Sequence, residues 1–154
     1  MRNVLTAMVL AALVAATGAF AADNSLGTWK LNMEKSRFSP STPVKSLTST
    51  REAAEGGVKV TTTGARADGT PINSSYTAKY DGSESPVVDA PYDTISIKQV
   101  NANTFTFAAK KTDGKYRVMG RSVVSKDGKI MTNTIKGAGA DGKPYSATMV
   151  WDKQ

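Results

Sequence analysis

Five Asp-Gly dipeptides punctuate this chain, at Asp68-Gly69, Asp81-Gly82, Asp113-Gly114, Asp127-Gly128 and Asp141-Gly142, and they limit its fold more than any other feature. Asp-Gly suits type I′ hairpin turns because both central residues need positive φ, which glycine adopts freely and aspartate tolerates. Between these turns the chain is rich in Thr, Val, Ile, Tyr and Phe, the residues that fit a pleated, half-buried surface. Strands are predicted over residues 26–33, 44–52, 58–64, 72–80, 94–100, 104–111, 115–126, 129–137 and 144–152, with Glu55-Gly56-Gly57 and Asn101-Ala102-Asn103 as further turns. Apolar residues alternate with polar ones in Trp29/Leu31/Met33, Ile72/Tyr76/Tyr80, Ile95/Ile97, Phe105/Phe107 and Tyr145/Ala147/Met149/Trp151. A period of two gives each strand one buried and one wet face. No stretch beyond the N-terminal segment has helical periodicity. The expected fold class is all-β, an antiparallel up-and-down meander.

Closure of that meander follows from strand length. The last three Asp-Gly turns fall 14 residues apart, which leaves strands longer than those of an ordinary sheet. Long sequential strands suit a closed barrel of about 8–10 staves, which removes exposed edges. Lys30, Lys98, Lys110 and Arg121 fall on the faces opposite the apolar ones, where a lipid-facing band would not carry charge. The barrel is therefore expected to be soluble rather than membrane-spanning. Two segments break the pattern. Residues 34–43 (EKSRFSPSTP) and 81–93 (DGSESPVVDAPYD) are rich in proline, serine or acids and are expected as loops, either simple connections or covers over a barrel mouth.

The N-terminus reads as an address. Arg2 precedes an apolar run over residues 4–16, followed by small residues ending in Ala19-Phe20-Ala21. A charged start, an apolar centre and an A-x-A site make a secretory signal cleaved after Ala21. The apolar run is short for a bilayer span and lacks stop-transfer charges. Residues 1–21 are thus expected to be removed, leaving 22–154 as one domain in a periplasm or the outside medium. With no cysteine in the chain, such a domain is held by its core alone.

Composition excludes much enzymology. The absence of cysteine and histidine removes thiolate nucleophiles, Ser-His-Asp triads, the usual thiolate and imidazole metal ligands and the common near-neutral proton shuttle. No phosphate-cradling glycine loop and no H-E-x-x-H is present. Glu84, Asp89 and Asp93 cluster in one predicted loop but lack the regular spacing of a calcium site. No catalysis, cofactor or metal is expected. The formal charge of +7 favours anionic surroundings, with the densest run at Lys110, Lys111, Lys115 and Arg117. Only Tyr116 interleaves an aromatic with that run, which argues against nucleic acid.

The segment Leu26-Gly27-Thr28-Trp29-Lys30-Leu31 resembles the first strand of calycins, the lipocalins and intracellular fatty-acid-binding proteins, in which a G-x-W signature opens the barrel and its tryptophan closes one end. Asp127-Gly128-Lys129-Ile130-Met131-Thr132 onward to Val150-Trp151-Asp152-Lys153 looks like the last two strands of a fatty-acid-binding protein, and the whole is similar to small secreted bacterial lipocalin-like proteins. The resemblance implies a calycin-like barrel. It departs from the fatty-acid binders in two places: residues 34–43 are too short for their helical lid, and Tyr145-Ser146-Ala147 stands where they carry an Arg-x-Tyr carboxylate clamp. It departs from the lipocalins in having no arginine after Arg121.

The expected partner is a small apolar or amphipathic molecule inside the barrel. Trp29, Tyr76, Phe105, Phe107 and Trp151 are the candidate wall. Arg117 and Arg121 lie four apart in one strand and so share a face. If that face is lumenal, they would require an anionic ligand; if it is external, they are a solvated pair. The alternative reading is an envelope-associated interaction module whose basic outer surface meets anionic polymers, lipid head groups or a protein.

Overall fold

The computed structural model describes residues 21–154, so the expected signal lies outside the described residues except for Ala21. Eleven strands follow in order: β1 (Gly27–Leu31), β2 (Arg37–Ser39), β3 (Val44–Ala54), β4 (Gly57–Arg66), β5 (Pro71–Lys79), β6 (Asp81–Val88), β7 (Thr94–Asn101), β8 (Thr104–Lys110), β9 (Arg117–Val124), β10 (Ile130–Ala138) and β11 (Pro144–Lys153). From β3 to β11 each strand pairs antiparallel with the next, and β1 pairs with both β3 and β11. These ten strands form a closed all-β barrel, and the described residues include no helix.

The closing stave is built from two pieces. Trp29–Leu31 of β1 run beside Lys153–Trp151, and Arg37–Ser39 of β2 run in the same direction beside Thr148–Ser146. Between them the chain leaves the ladder and is pinned by hydrogen bonds. The Asn32 amide donates to the Val150 carbonyl at 2.8 Å, and the Val150 amide donates to Ser36 Oγ at 3.0 Å. β2 pairs with β11 alone, so half of this stave is not sealed against β3.

Both segments expected as loops therefore contain a strand. Within 34–43 lies β2, and within 81–93 lies β6. β6 escapes a pattern search because only Val87 in it is fully buried and Pro86 interrupts its donors. Its pairing is correspondingly sparse, with two residues matched to β5 and a register shift against β7. The rest of both segments does border the open end of the barrel, through Pro40, Ser41 and Pro43 on one side and Asp89, Ala90 and Pro91 on the other.

The Asp-Gly turns are hairpin tips of a different type from the expected I′. At Asp68-Gly69, Asp127-Gly128 and Asp141-Gly142 the glycine alone has positive φ (88°, 72° and 79°). Each glycine amide bonds back to the carbonyl three residues earlier, Arg66, Ser125 and Gly139. That is a type I turn followed by a left-handed glycine, the three-residue hairpin loop. The aspartate closes it by accepting the amide of the residue two further on, Thr70, Lys129 or Lys143. Asp81 accepts from the Ser83 amide in the same way, and Asp113 alone takes the positive φ itself, at 58°.

Inside the barrel the registers stack side chains in layers. Leu31, Trp151, Met131 and Val124 are cross-strand neighbours in one layer, and Ile97, Phe107, Gly120, Ile135, Ala147 and Phe38 in another. The missing side chain of Gly120 is what lets Phe107 lie flat, since a Cβ there would meet its ring at 2.3 Å. Residues 22–26 close the base. Gln99 Nε2 donates to the Ala22 carbonyl (2.8 Å), the Asn24 amide to the Ala102 carbonyl (2.9 Å), and Trp29 Nε1 to the Ser25 carbonyl (2.8 Å). Trp29 is fully buried, with the Lys153 ammonium 5.2 Å above its ring.

Candidate ligand-binding cavity

The barrel is not filled. A cavity of about 670 Å³ lies within it, a size at which small-molecule sites are usual. Eight aromatic side chains line it: Phe38, Tyr76, Tyr92, Phe105, Phe107, Tyr116, Tyr145 and Trp151. Strand alternation puts them there, because Tyr76, Phe105, Phe107, Tyr145 and Trp151 all fall in the inward phase of their strands.

A polar belt interrupts this wall. Ser49 of β3, Thr62 of β4 and Ser74 of β5 are direct cross-strand neighbours and all line the cavity. Across the ring, Ser122 of β9 opposes Asn133 of β10, and both line it as well. Next to the first group, Arg51, Val60, Tyr76 and Val87 form a row. The Arg51 guanidinium borders the cavity and is braced from the base, where its Nε–H donates to Ser25 Oγ at 3.1 Å. Ser25 Oγ–H in turn donates to Asp23 at 2.6 Å, and Tyr80 donates its hydroxyl proton to the same carboxylate. Asn133 Oδ1 and Trp151 Nε1, on two cavity-lining residues, are buried without a hydrogen-bond partner among the described residues. An unmatched acceptor and an unmatched donor each carry a desolvation cost that an adjoining polar group can relieve.

The phenols of this wall stay protonated. Burial pushes Tyr76 above the ordinary phenol range, with the Arg51 charge working the other way. Burial raises Tyr92, reinforced by Tyr76 and Tyr116; it raises Tyr145; and it pushes Tyr116 up to about 12. Tyr92 and Tyr116 stack at 5.6 Å and 24°. At neutral pH the wall therefore offers aromatic faces and neutral O–H groups, with Arg51 as an inward cation and Arg66, Lys143, Asp89 and Asp141 also on its surface.

The structure sorts the candidate residues. Tyr76, Phe105, Phe107 and Trp151 come together on the cavity surface. Trp29 packs in the same cluster as Trp151, but it belongs to the base rather than the cavity wall. Arg117 and Arg121 are exposed on the outer face, because Val118, Ser122 and Val124 take the inward phase of β9. Their lumenal reading is thereby corrected. The arginines that do border the cavity are Arg51 and Arg66, and the sequence reading missed Arg51 although it sits in phase with Leu47 and Ser49. The acids once grouped as a cluster serve separate structural tasks. Glu84 pairs with Lys110, Asp93 accepts from the Thr112 amide, and Asp89 turns the chain with a φ of 57°. Among the described residues no group of three or more His, Cys, Asp or Glu is placed to hold a metal ion.

No family model and no curated protein matches this chain. Among solved structures, one described as EF1p2_mFAP2b bound to DFHBI is similar to it, at 11% identity over 85% of this chain and 94% of that one, with a TM-score of 0.47.

Proposed function

We propose that this protein is a non-catalytic, calycin-like binding protein, exported by its N-terminal signal, that holds one small amphipathic molecule inside its barrel. The observation that carries this reading is the cavity of about 670 Å³, walled by aromatic rings and crossed by one polar belt. A ligand with a flat apolar body would stack on the rings. An anionic or strongly accepting group on that ligand would be met by Arg51, the Ser49, Thr62 and Ser74 hydroxyls and the protonated phenols.

Anilinonaphthalene sulfonate, an anionic fused aromatic, tests the reading in fluorescence titration. One saturable site is expected, accompanied by quenching of Trp151. Arg51→Met should weaken it about tenfold, the scale of one charge-assisted hydrogen bond. Arg121→Met should leave it unchanged. No saturable site, or equal losses in the two variants, would remove the lumenal reading.

A further inference from the structure

The outer face of β7 to β10 carries a pattern that the cavity does not use. The alternation that turns Ile97, Phe107 and Val118 inward turns Lys98, Lys110, Arg117, Arg121 and Lys136 outward. Their registers place them in three adjoining rows. Lys98 is opposite Thr106, which is opposite Arg121; Ala108 is opposite Met119, which is opposite Lys136; and Lys110 is opposite Arg117. With strands about 4.8 Å apart, five cations share one wall only four strands wide. Lys110 has an acid partner, Glu84, whereas neither ion pair found among the described residues involves Lys98, Arg117, Arg121 or Lys136. Lys110 and Arg117 even oppose each other directly, an arrangement that costs stability in isolation. Of the five, Lys98 alone has an acid opposite it in register, Asp81 of β6, as Lys59 has Glu52 on β3 and β4.

Large apolar side chains are exposed on the same wall. Met119 is 69% exposed between Arg117 and Arg121, and Val123 (40%) and Val100 (56%) lie toward one end. The hairpin tip expected to be the basic centre is partly neutralised, since Lys110 meets Glu84 and Lys111 meets Asp93 at 3.5 Å. The unpaired charge sits on the strands instead.

We propose that this wall, centred on β9, is a docking surface for an anionic lipid membrane. The cations would face the head-group phosphates, while Met119 and Val123 would enter the interface between them. A polyanion in water would account for the arginines and lysines but would gain nothing from an exposed methionine at their centre. A lipid interface rewards both, through charge near an anionic leaflet and apolar surface withdrawn from water. The surface is on the outside of the barrel and acts independently of the cavity.

Vesicle co-sedimentation of the full chain tests this, with phosphatidylcholine alone against phosphatidylcholine containing about 30% phosphatidylglycerol. Tighter binding to the anionic vesicles than to phosphatidylcholine alone is expected, with the excess falling steeply as NaCl rises from about 50 to about 500 mM. Arg117→Glu, Arg121→Glu and Lys136→Glu together should reduce partitioning about 100-fold, whereas Lys45→Glu, Lys59→Glu and Lys79→Glu together should cost less than about tenfold. All these chains share the same N-terminal apolar segment, so its own affinity for lipid cancels in the comparison. Met119→Ser should weaken vesicle binding about fivefold and leave retention on a heparin column unchanged. Equal losses in the two triple variants would overturn the proposal. So would heparin retention that depends on Arg117 and Arg121 while vesicles are ignored, or vesicle binding indifferent to Met119→Ser. Should the triple variant fail to fold, Met119→Ser and Arg121→Ser singly carry the same test, and anilinonaphthalene sulfonate affinity should be unchanged in both.

Discussion

The two tryptophans share one apolar cluster and yet answer to different constraints. Trp29 is fully enclosed and spends its indole N–H on the Ser25 carbonyl, which fastens residues 22–26 across the base. Trp151 lends a ring face to the cavity and leaves its N–H without a partner. Replacing each by phenylalanine removes similar apolar volume, but only Trp29→Phe strands a buried carbonyl. Urea unfolding should therefore show Trp29→Phe costing about 1–2 kcal/mol more than Trp151→Phe, the scale of one orphaned acceptor. The two should also separate in probe binding, which Trp151→Phe alters and Trp29→Phe does not. Equal destabilisation would mean that the Ser25 bond contributes nothing net.

At the scale of elements, the barrel was legible because nine of its ten staves fall in β-rich stretches set apart by turns or breaks in the pattern. The strand β6 was not, since its hydrogen bonds are donated by a serine-rich, proline-interrupted stretch with one buried valine. The site was half legible. Aromatic residues in an apolar phase pointed at the wall, whereas the polar belt required asking which strands carry a single polar residue in that phase. Thr62 after Val58 and Val60, Ser74 between Ile72 and Tyr76, and Asn133 between Met131 and Ile135 each break such a run. Arg51 follows Leu47 and Ser49 in the same manner, and Arg117 and Arg121 could have been placed outside by phasing β9 on Val118 and Val124. The turns make their own prediction. Amide and hydroxyl donors of Thr70, Ser83 and Thr112, and of Ser125 and Lys129, hold Asp68, Asp81, Asp93 and Asp127 below the ordinary carboxylate range. A depressed folded value stabilises the native state above the unfolded value and loses that contribution as pH falls through the folded one. Melting temperature should thus hold steady down to about pH 5 and decline below about pH 4. Asp68→Asn with Asp127→Asn should lower the plateau and flatten the decline, and an unchanged acid limb would show that these hairpin tips open without consequence for the barrel.

For the molecule as a whole, the phenols set the opposite limit. Tyr76, Tyr80, Tyr92, Tyr116 and Tyr145 all have raised values, chiefly from burial, and four of the five line one cavity. In the unfolded chain each would ionise near its ordinary value of about 10. A folded value raised above the unfolded one gives stability that is complete below about pH 10 and disappears as pH climbs toward the folded values, because only the unfolded chain then releases its protons. The chain has no histidine or cysteine, so little else titrates between the acid and alkaline limits. Melting temperature should accordingly be flat from about pH 6 to 9 and then fall, with phenolate absorbance near 295 nm rising in one step with loss of the barrel's circular dichroism. Occupation of the cavity by anilinonaphthalene sulfonate should carry that step to higher pH, since a ligand bound only by the closed barrel favours the state with protonated phenols. Gradual ionisation centred near pH 10 in a barrel that stays folded would show these phenols reaching water, and the enclosed aromatic wall on which the proposed binding rests would be gone with it.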